Sequence, residues 1–410
     1  MNPICTMIIG AGNRGLTYAS YCKLFPNEME IVAVAEPNDK KRNSFAIEYH
    51  LDSSSCFESW EDALSRDKIA DAVIICTQDQ MHVEPALASL KLDYHILLEK
   101  PMATTKADCI KLARAGNNSE KIFGLCHVLR YTSHYQKMKE IVDSGLIGDV
   151  ITIEHLEPVN YWHMAHSYVR GNWRKLEKSS PMILAKSCHD MDLLRWFAGA
   201  SCKRISSFGS LTHFKEENAP EGSSERCIDN CAVEQDCPYS ALKLYLNMDL
   251  TGWPLSVITN DISKHGREKA MCEGPYGRCV YRSDNDVVDH QVVSIEFENK
   301  VTASFTMSAF TDGHRRTRIM GTMGEMIGNF ETITLSNFRD HTKEIVWEKT
   351  SEDETGHGDG DFGLIKQFLK AVRSNNSTIF GSTIEESMES HLMAFAAEKS
   401  RVECKMMEIN

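Results

Sequence analysis

Three glycines in Gly10-Ala-Gly12-Asn-Arg-Gly15 stand between an apolar run and a helix-like stretch near the amino terminus. In such a turn the first glycine permits the tight bend and the second lets backbone approach a pyrophosphate. The third lets the helix pack on the strand. The helix start, with Asn13 and Arg14 in it, then offers free N–H groups and a positive dipole end to the phosphates. Glu36 ends the next apolar run, 21 residues after Gly15. There its carboxylate would accept hydrogen bonds from the adenosine ribose and repel a 2′-phosphate. NAD is therefore the expected cofactor and NADP the less favoured one. Lys40, Lys41 and Arg42 keep NADP open, because one of them could bend back to a phosphate. The bland alternative is a glycine turn without a ligand.

Two further clusters fall where open parallel sheets bind ligands, at carboxyl ends of strands. Cys76-Thr77-Gln78 ends one apolar run and is followed by His82; Glu99-Lys100-Pro101 ends another. Beyond them come Arg130, Tyr131, Tyr161, Trp162, His163, His166, Trp173 and Arg174. A sugar site uses such groups, aromatic faces against C–H surfaces and polar tips for hydroxyls, although part of the set should be ordinary core. His357-Gly-Asp-Gly-Asp361 is either a lid or, through Asp359 or Asp361, a helix cap. Cys227, Cys231 and Cys237, with Cys202, Cys272 and Cys279 elsewhere, are either free thiols or a structural zinc or iron–sulfur site.

The elements that must position these groups divide the chain. Apolar runs at Thr6–Gly10, Ile31–Ala35, Ala72–Cys76, Tyr94–Leu98 and Ile122–Cys126 alternate with helical stretches at Arg14–Leu24, Asp39–Tyr49, His82–Leu90 and Lys106–Ala115. Continuous rather than alternating apolar residues mark strands buried on both faces of a parallel sheet. After Arg130 the pattern changes to a helix (Ser133–Ser144), a strand (Val150–Leu156), a helix (Lys186–Phe197) and a polar insertion (Lys215–Pro238). Several short strands between Val292 and Trp347 and two closing helices, Asp361–Val372 and Thr383–Glu403, follow. The expected fold is α/β: a doubly wound Rossmann sheet over residues 1–128, then an α+β domain over 129–410 with a large, mostly antiparallel open sheet.

Composition narrows the partners. Of 410 residues, 42% are hydrophobic and 25% charged, ordinary for globular chains. A net charge of −13 argues against nucleic acid. No apolar stretch is long enough for a membrane span and no signal-like start is present, so a cytoplasmic protein is expected, its 14 cysteines mostly buried thiols.

The order of the glycine turn, the Cys76-Thr77 strand end and Glu99-Lys100-Pro101 resembles the Gfo/Idh/MocA family of oxidoreductases. Asn172-Trp-Arg174, His189-Asp-Met-Asp192 and Gly321-Thr-Met-Gly-Glu325 also fit, so the resemblance spans essentially the whole chain. It implies that Lys100 contacts nicotinamide ribose and substrate, and that His189 is the general base while hydride passes to the nicotinamide. A histidine that is neutral near pH 7 and a nearby ammonium suit alcohol oxidation. The resemblance places the Trp173–Arg174 loop over the nicotinamide, and it directs attention to Arg130, Tyr161 and His163 as substrate contacts. It also implies a carbohydrate-like substrate and a homodimer or homotetramer formed through the open sheet. One departure stands out. Where inositol dehydrogenase-like members carry an aspartate four residues before the histidine, this chain has Ala185, followed by Lys186. Lys186 is either a second catalytic cation or a solvated helix residue. The expected activity is NAD-dependent hydride transfer at a hydroxyl or keto carbon of a sugar, sugar acid or cyclitol. The alternatives are a redox-neutral glycosidase with transient oxidation at C3, and a non-enzymatic dinucleotide-binding regulator.

Overall fold

The computed structural model describes residues 2–350 and 359–409. Six strands form the first sheet: β1 (Ile4–Ile9), β2 (Met29–Ala35), β3 (Cys56–Phe57), β4 (Ala72–Ile75), β5 (His95–Leu98) and β6 (Phe123–Leu125). All pair in parallel in the order β3-β2-β1-β4-β5-β6. The order reverses at β1, so the carboxyl ends of β1 and β4 open a crevice there. β4 is buried at all four positions, as a strand covered by helices on both faces should be.

The second sheet contains β7 (Val150–Pro158), β8 (Cys202–Ser210), β9 (His290–Phe297), β10 (Thr302–Ser308), β11 (Arg316–Gly321), β12 (Gly324–Gly328), β13 (Thr332–Asn337), β14 (Thr342–Glu348) and β15 (Met407–Glu408). Their order is β14-β13-β12-β11-β7-β10-β9-β8-β15, antiparallel throughout except for the parallel pair β7–β10. Burial alternates along β9 and β10, so Val293 opposite Phe305 and Ile295 opposite Ala303 face the core. The other face is open and carries the exposed pair Phe208 and Val292.

Two closing helices tie the sheets together. Gly360–Ser374 sends Leu364, Ile365, Phe368 and Leu369 into the same core as Ile8, Val34 and Leu97 of the first sheet. Ile384–Glu403 begins with a capping box in which Thr383 and Glu386 satisfy each other's backbone N–H. Among the described residues, no helix is long and apolar enough to cross a membrane.

Local differences from the sequence pattern have local causes. The helix expected over Lys186–Phe197 runs from Cys188 to Ala198, and a separate short helix, Met182–Ala185, opened by Pro181, precedes it. Ser187, at φ −103° and ψ 13°, lies between them, so Lys186 stands at a break rather than on a solvated helix face. The polar insertion has the short turn Glu216–Asn218 and continues through helices Ala241–Tyr245, Leu255–Ile258 and Lys264–Glu273 before β9.

Candidate active site

At the glycine turn, Gly10 has φ +94°, and a Cβ there would lie 2.6 Å from the Cys76 carbonyl oxygen. A Cβ on Gly15 would lie 2.1 Å from the Gly10 oxygen, so that glycine is what lets the Asn13–Ala19 helix sit on its strand. Gly12 differs: no atom lies within 4 Å of where its Cβ would be. The one glycine with open space above it is the one a pyrophosphate must approach.

Glu36 is buried at the end of β2, where its carboxylate accepts from Ala11 N at 2.9 Å and Asn38 N at 3.0 Å. Arg42 is buried beneath it, donating to the Glu36 carbonyl at 2.6 Å and to Asp39 at 2.7 Å. Its guanidinium is thereby committed, while Lys40 and Lys41 are exposed.

Glu99 accepts from Arg14 Nε at 2.7 Å, Tyr18 Oη at 2.8 Å and Lys100 N at 2.6 Å. Burial alone would push this carboxyl up, but Arg14 and Lys100 outweigh it and hold it below the usual range. Arg14 also pairs with Asp361 at 2.5 Å, joining the glycine turn to the Gly360–Ser374 helix. His82 lies between the two strand ends, Nδ1 2.7 Å from the Pro101 carbonyl and Nε2 3.2 Å from that of Thr77. Thr77 itself donates to the Met81 carbonyl at 3.1 Å, and Gln78 precedes the turn Asp79–Met81. That turn meets the second half of the chain: Trp173 Nε1 donates to Asp79 at 3.0 Å. Arg174 instead donates to Asp284 at 2.8 Å and to the Gly171 carbonyl at 3.2 Å.

Lys100 crosses the same junction. Its Nζ donates to the Ala185 carbonyl at 3.1 Å, one residue before Lys186 and four before His189. Lys186 pairs with the buried Glu157 of β7 at 3.3 Å. Arg315 contacts Glu157 as well and bonds Asp190 at 2.8 Å, and His155 Nε2 reaches Asp190 at 2.9 Å. Burial depresses the Lys186 ammonium, Glu157 opposes this, and Arg315 and Lys100 add to it. His163 feels the same field: burial first, then Lys186, push its imidazole well below the usual range. Asp190 stays ionised despite its burial because Arg315 and His155 hold its carboxyl down. His189 is buried in the first turn of its helix.

Against this geometry, residues 4–127 match the "Oxidoreductase family, NAD-binding Rossmann fold" and residues 139–409 its "C-terminal alpha/beta domain". The chain belongs to the Gfo/Idh/MocA oxidoreductase family. It is 24% identical to the putative oxidoreductase YteT of Bacillus subtilis, over 84% of this chain and 83% of that one. It is 28% identical to inositol 2-dehydrogenase 2 of Saccharopolyspora erythraea, over 47% of this chain and 54% of the relative. Levoglucosan dehydrogenase, solved with NADH and L-sorbose, shares the fold with a TM-score of 0.74 at 16% identity and covers 100% of both chains. The scyllo-inositol dehydrogenase of Lactobacillus casei, with NAD(H) and scyllo-inositol, does so with a TM-score of 0.68 at 17% identity over 99% of each chain.

As a Gfo/Idh/MocA member, the chain takes a nicotinamide cofactor, and the open approach at Gly12 with a buried acceptor at Glu36 fits one. Several candidates from the sequence come near one another: Lys100 is bonded to the Ala185 carbonyl beside Lys186, His163 lies in the field of both lysines, His189 follows in the next helix, and Trp173 stands at the junction. Others do not. Arg130 is buried behind the His189 helix, gripping Asp192 at 2.6 and 2.7 Å. Tyr161 packs beside Tyr239 of the insertion. Asp359 accepts from Ser133 N at 2.9 Å rather than capping its own helix, and His357 lies outside the described residues. Sequence reasoning missed Glu157, Arg315, His155 and Trp253. Trp253 comes from the insertion and stands 5.0 Å from the His163 ring. None of the four belongs to a local motif; they converge only through sheet pairing and the fold of the insertion.

The zinc alternative is not supported. Cys227, Cys231, Cys237 and Cys279 face a cavity of about 20 Å³. Among the described residues, however, no three His, Cys, Asp or Glu side chains converge well enough to hold a metal ion. The Arg170 guanidinium lies 3.6 Å from Cys227 Sγ, and its positive charge opposes a metal cation there.

Proposed function

We propose that this protein transfers hydride between NAD and a hydroxyl or keto carbon of a sugar, sugar acid or cyclitol. The observation that carries the reading is the bond from Lys100 Nζ to the Ala185 carbonyl. It holds the lysine of the cofactor sheet against the segment bearing Lys186 and His189, so one carbon can face both the nicotinamide and a base. The relatives named as inositol dehydrogenases support a polyol as substrate. In this reading Gly10, Gly12, Asn13 and Gly15 receive the pyrophosphate, with Arg14 and Glu99 bracing the turn. Thr77, Gln78, His82, Trp173 and Arg174 shape the nicotinamide side. The bound cofactor supplies the hydride acceptor. Lys100 donates to the substrate oxygen and favours its negative charge, His189 takes the hydroxyl proton, and Lys186 turns its ammonium toward the same oxygen or a neighbouring carboxylate. NAD is preferred because Glu36 presents a carboxylate to the ribose while Arg42 is committed beneath it. The open face of the second sheet, with Phe208 and Val292 exposed, suits pairing of two copies.

The test is a panel of sugars, sugar acids and cyclitols followed by NADH absorbance, with aglycone release assayed in parallel. Production of NADH from a polyol, lost in Lys100→Ala and His189→Ala, is the expected result. Full turnover in either variant removes the assignment, and aglycone release without NADH replaces it with glycoside cleavage.

A further inference from the structure

Behind His189 lies a second buried imidazole that the reaction as described does not use. His127 follows β6 and is 1% exposed. Its Nδ1 lies 3.0 Å from Asp192 Oδ1, three residues along the helix from His189. Its ring centre is 6.0 Å from that of His189, with the planes 66° apart. A small ring rotation or one water spans that distance. Neither ring nitrogen makes a hydrogen bond within the described residues, and turning Nδ1–H onto the nearby carboxylate leaves Nε2 as the lone-pair nitrogen.

The groups around His127 leave one direction for a proton. His391 is stacked on it at 5.7 Å, but its tautomer is fixed. The Ser387 carbonyl, 2.7 Å from His391 Nδ1, can only accept, and the Met102 N–H donates to Nε2 at 2.8 Å. Both nitrogens of His391 are thus occupied in the neutral ring. Asp192 is ionised and shared with the two-pronged Arg130, which also reaches Glu386 at 3.3 Å. The other imidazole in ring contact with His127 among the described residues is His189. Lys186 and Lys100 both bear on the imidazole of His163, and Lys100 bears on that of His391 as well.

We propose that His127, braced by Asp192, receives the proton that His189 takes from the substrate. This rests on the dehydrogenase reading above. The substrate O–H bond breaks with its electron pair staying on oxygen, and that proton moves to His189. The C–H bond breaks with its pair leaving as hydride to the nicotinamide. In the same transition state the other ring proton of His189 passes to Nε2 of His127, which becomes an imidazolium beside Asp192. It returns to water through His189 once product has left. The positive charge is thereby carried from His189 to the side of the Asp192 carboxylate during hydride transfer. His127 is a positioning residue in this scheme, acting on substrate only through His189.

The test compares the wild-type protein with His127→Asn and His127→Gln, which can hold Asp192 but cannot carry a proton. Thermal melting and NADH fluorescence titration check fold and cofactor affinity. Expected are unchanged NADH binding, KM within about twofold, and kcat lower by roughly tenfold or more. A proton inventory in H2O/D2O mixtures should be curved for wild type and linear for the variants. Variants that fold, bind NADH and keep both kcat and a curved inventory would overturn the proposal. So would a linear inventory in wild type, even if neither variant folds. Absence of NADH production by wild type on every polyol sinks the dehydrogenase reading instead. Histidine 15N NMR of the full chain then decides about the pair: coupled titration of His127 and His189 supports proton sharing, and independent titration ends it.

Discussion

Single charged groups in this molecule are held by partners that can be removed one at a time. Glu36 offers a buried carboxylate where the adenosine ribose binds in a Rossmann fold. Glu36→Gln keeps the size but loses the charge, so NADH affinity should fall by roughly tenfold, with a smaller change for NADPH. Fluorescence titration with both nucleotides reads the two constants, and equal losses would speak against the ribose contact. Glu99, Asp190 and Asp192 are all held below their ordinary range by cations, namely Arg14, Arg315 and Arg130. For carboxyls with depressed folded values, the stabilisation is complete above their unfolded values of about 3.9 to 4.3 and is lost as pH falls below them. Thermal melts should therefore be insensitive to these groups above about pH 5 and drop steeply below about pH 4. At this scale the sequence spoke unevenly. Glu36 and Lys100 were legible because each sits at a fixed offset from a strand end. Glu157 and Arg315 were not, because a lone carboxylate in a strand and a lone arginine after a turn carry no pattern.

At the scale of elements, the glycine turn separates two jobs that its motif runs together. Gly15→Ala drives a Cβ to 2.1 Å from the Gly10 oxygen, so the helix must move and stability should fall by about 1–3 kcal/mol or more. Gly12→Ala meets open space and should melt close to wild type while losing NADH affinity, because its methyl enters the pyrophosphate's approach. Urea unfolding and NADH titration of both variants distinguish the two, and a Gly12→Ala protein with undiminished affinity would remove the phosphate from that position. The alternation of apolar runs and helical stretches made most elements of the first sheet legible, from the buried run of β4 to the Lys106–Asn117 helix. The short helix Met182–Ala185 and the break at Ser187 after it were not, because four residues are too few to show a helical period. That break sets Lys186 beside Glu157.

Over the whole molecule, the chain returns to its beginning. Phe368 is fully buried in the same core as Ile8 and Leu97, and Arg14 is bonded to Asp361. Phe368→Ala should cost about 3–5 kcal/mol and weaken the cofactor sheet from the far end of the chain. Loss of NADH binding and loss of secondary structure should share one urea midpoint. Two separated transitions would show that the closing helix does not support the first sheet. What the sequence determined by itself was the family, the cofactor turn and the parallel sheet. Those rest on local spacing: glycines at fixed offsets and apolar runs of strand length. The tertiary structure alone decided which charges face each other. Lys100 meets Ala185, Arg315 bridges Glu157 and Asp190, and His127 comes up behind His189. Those contacts join residues far apart in the chain, and the physical cause is sheet register and helix packing, which no short window of sequence contains.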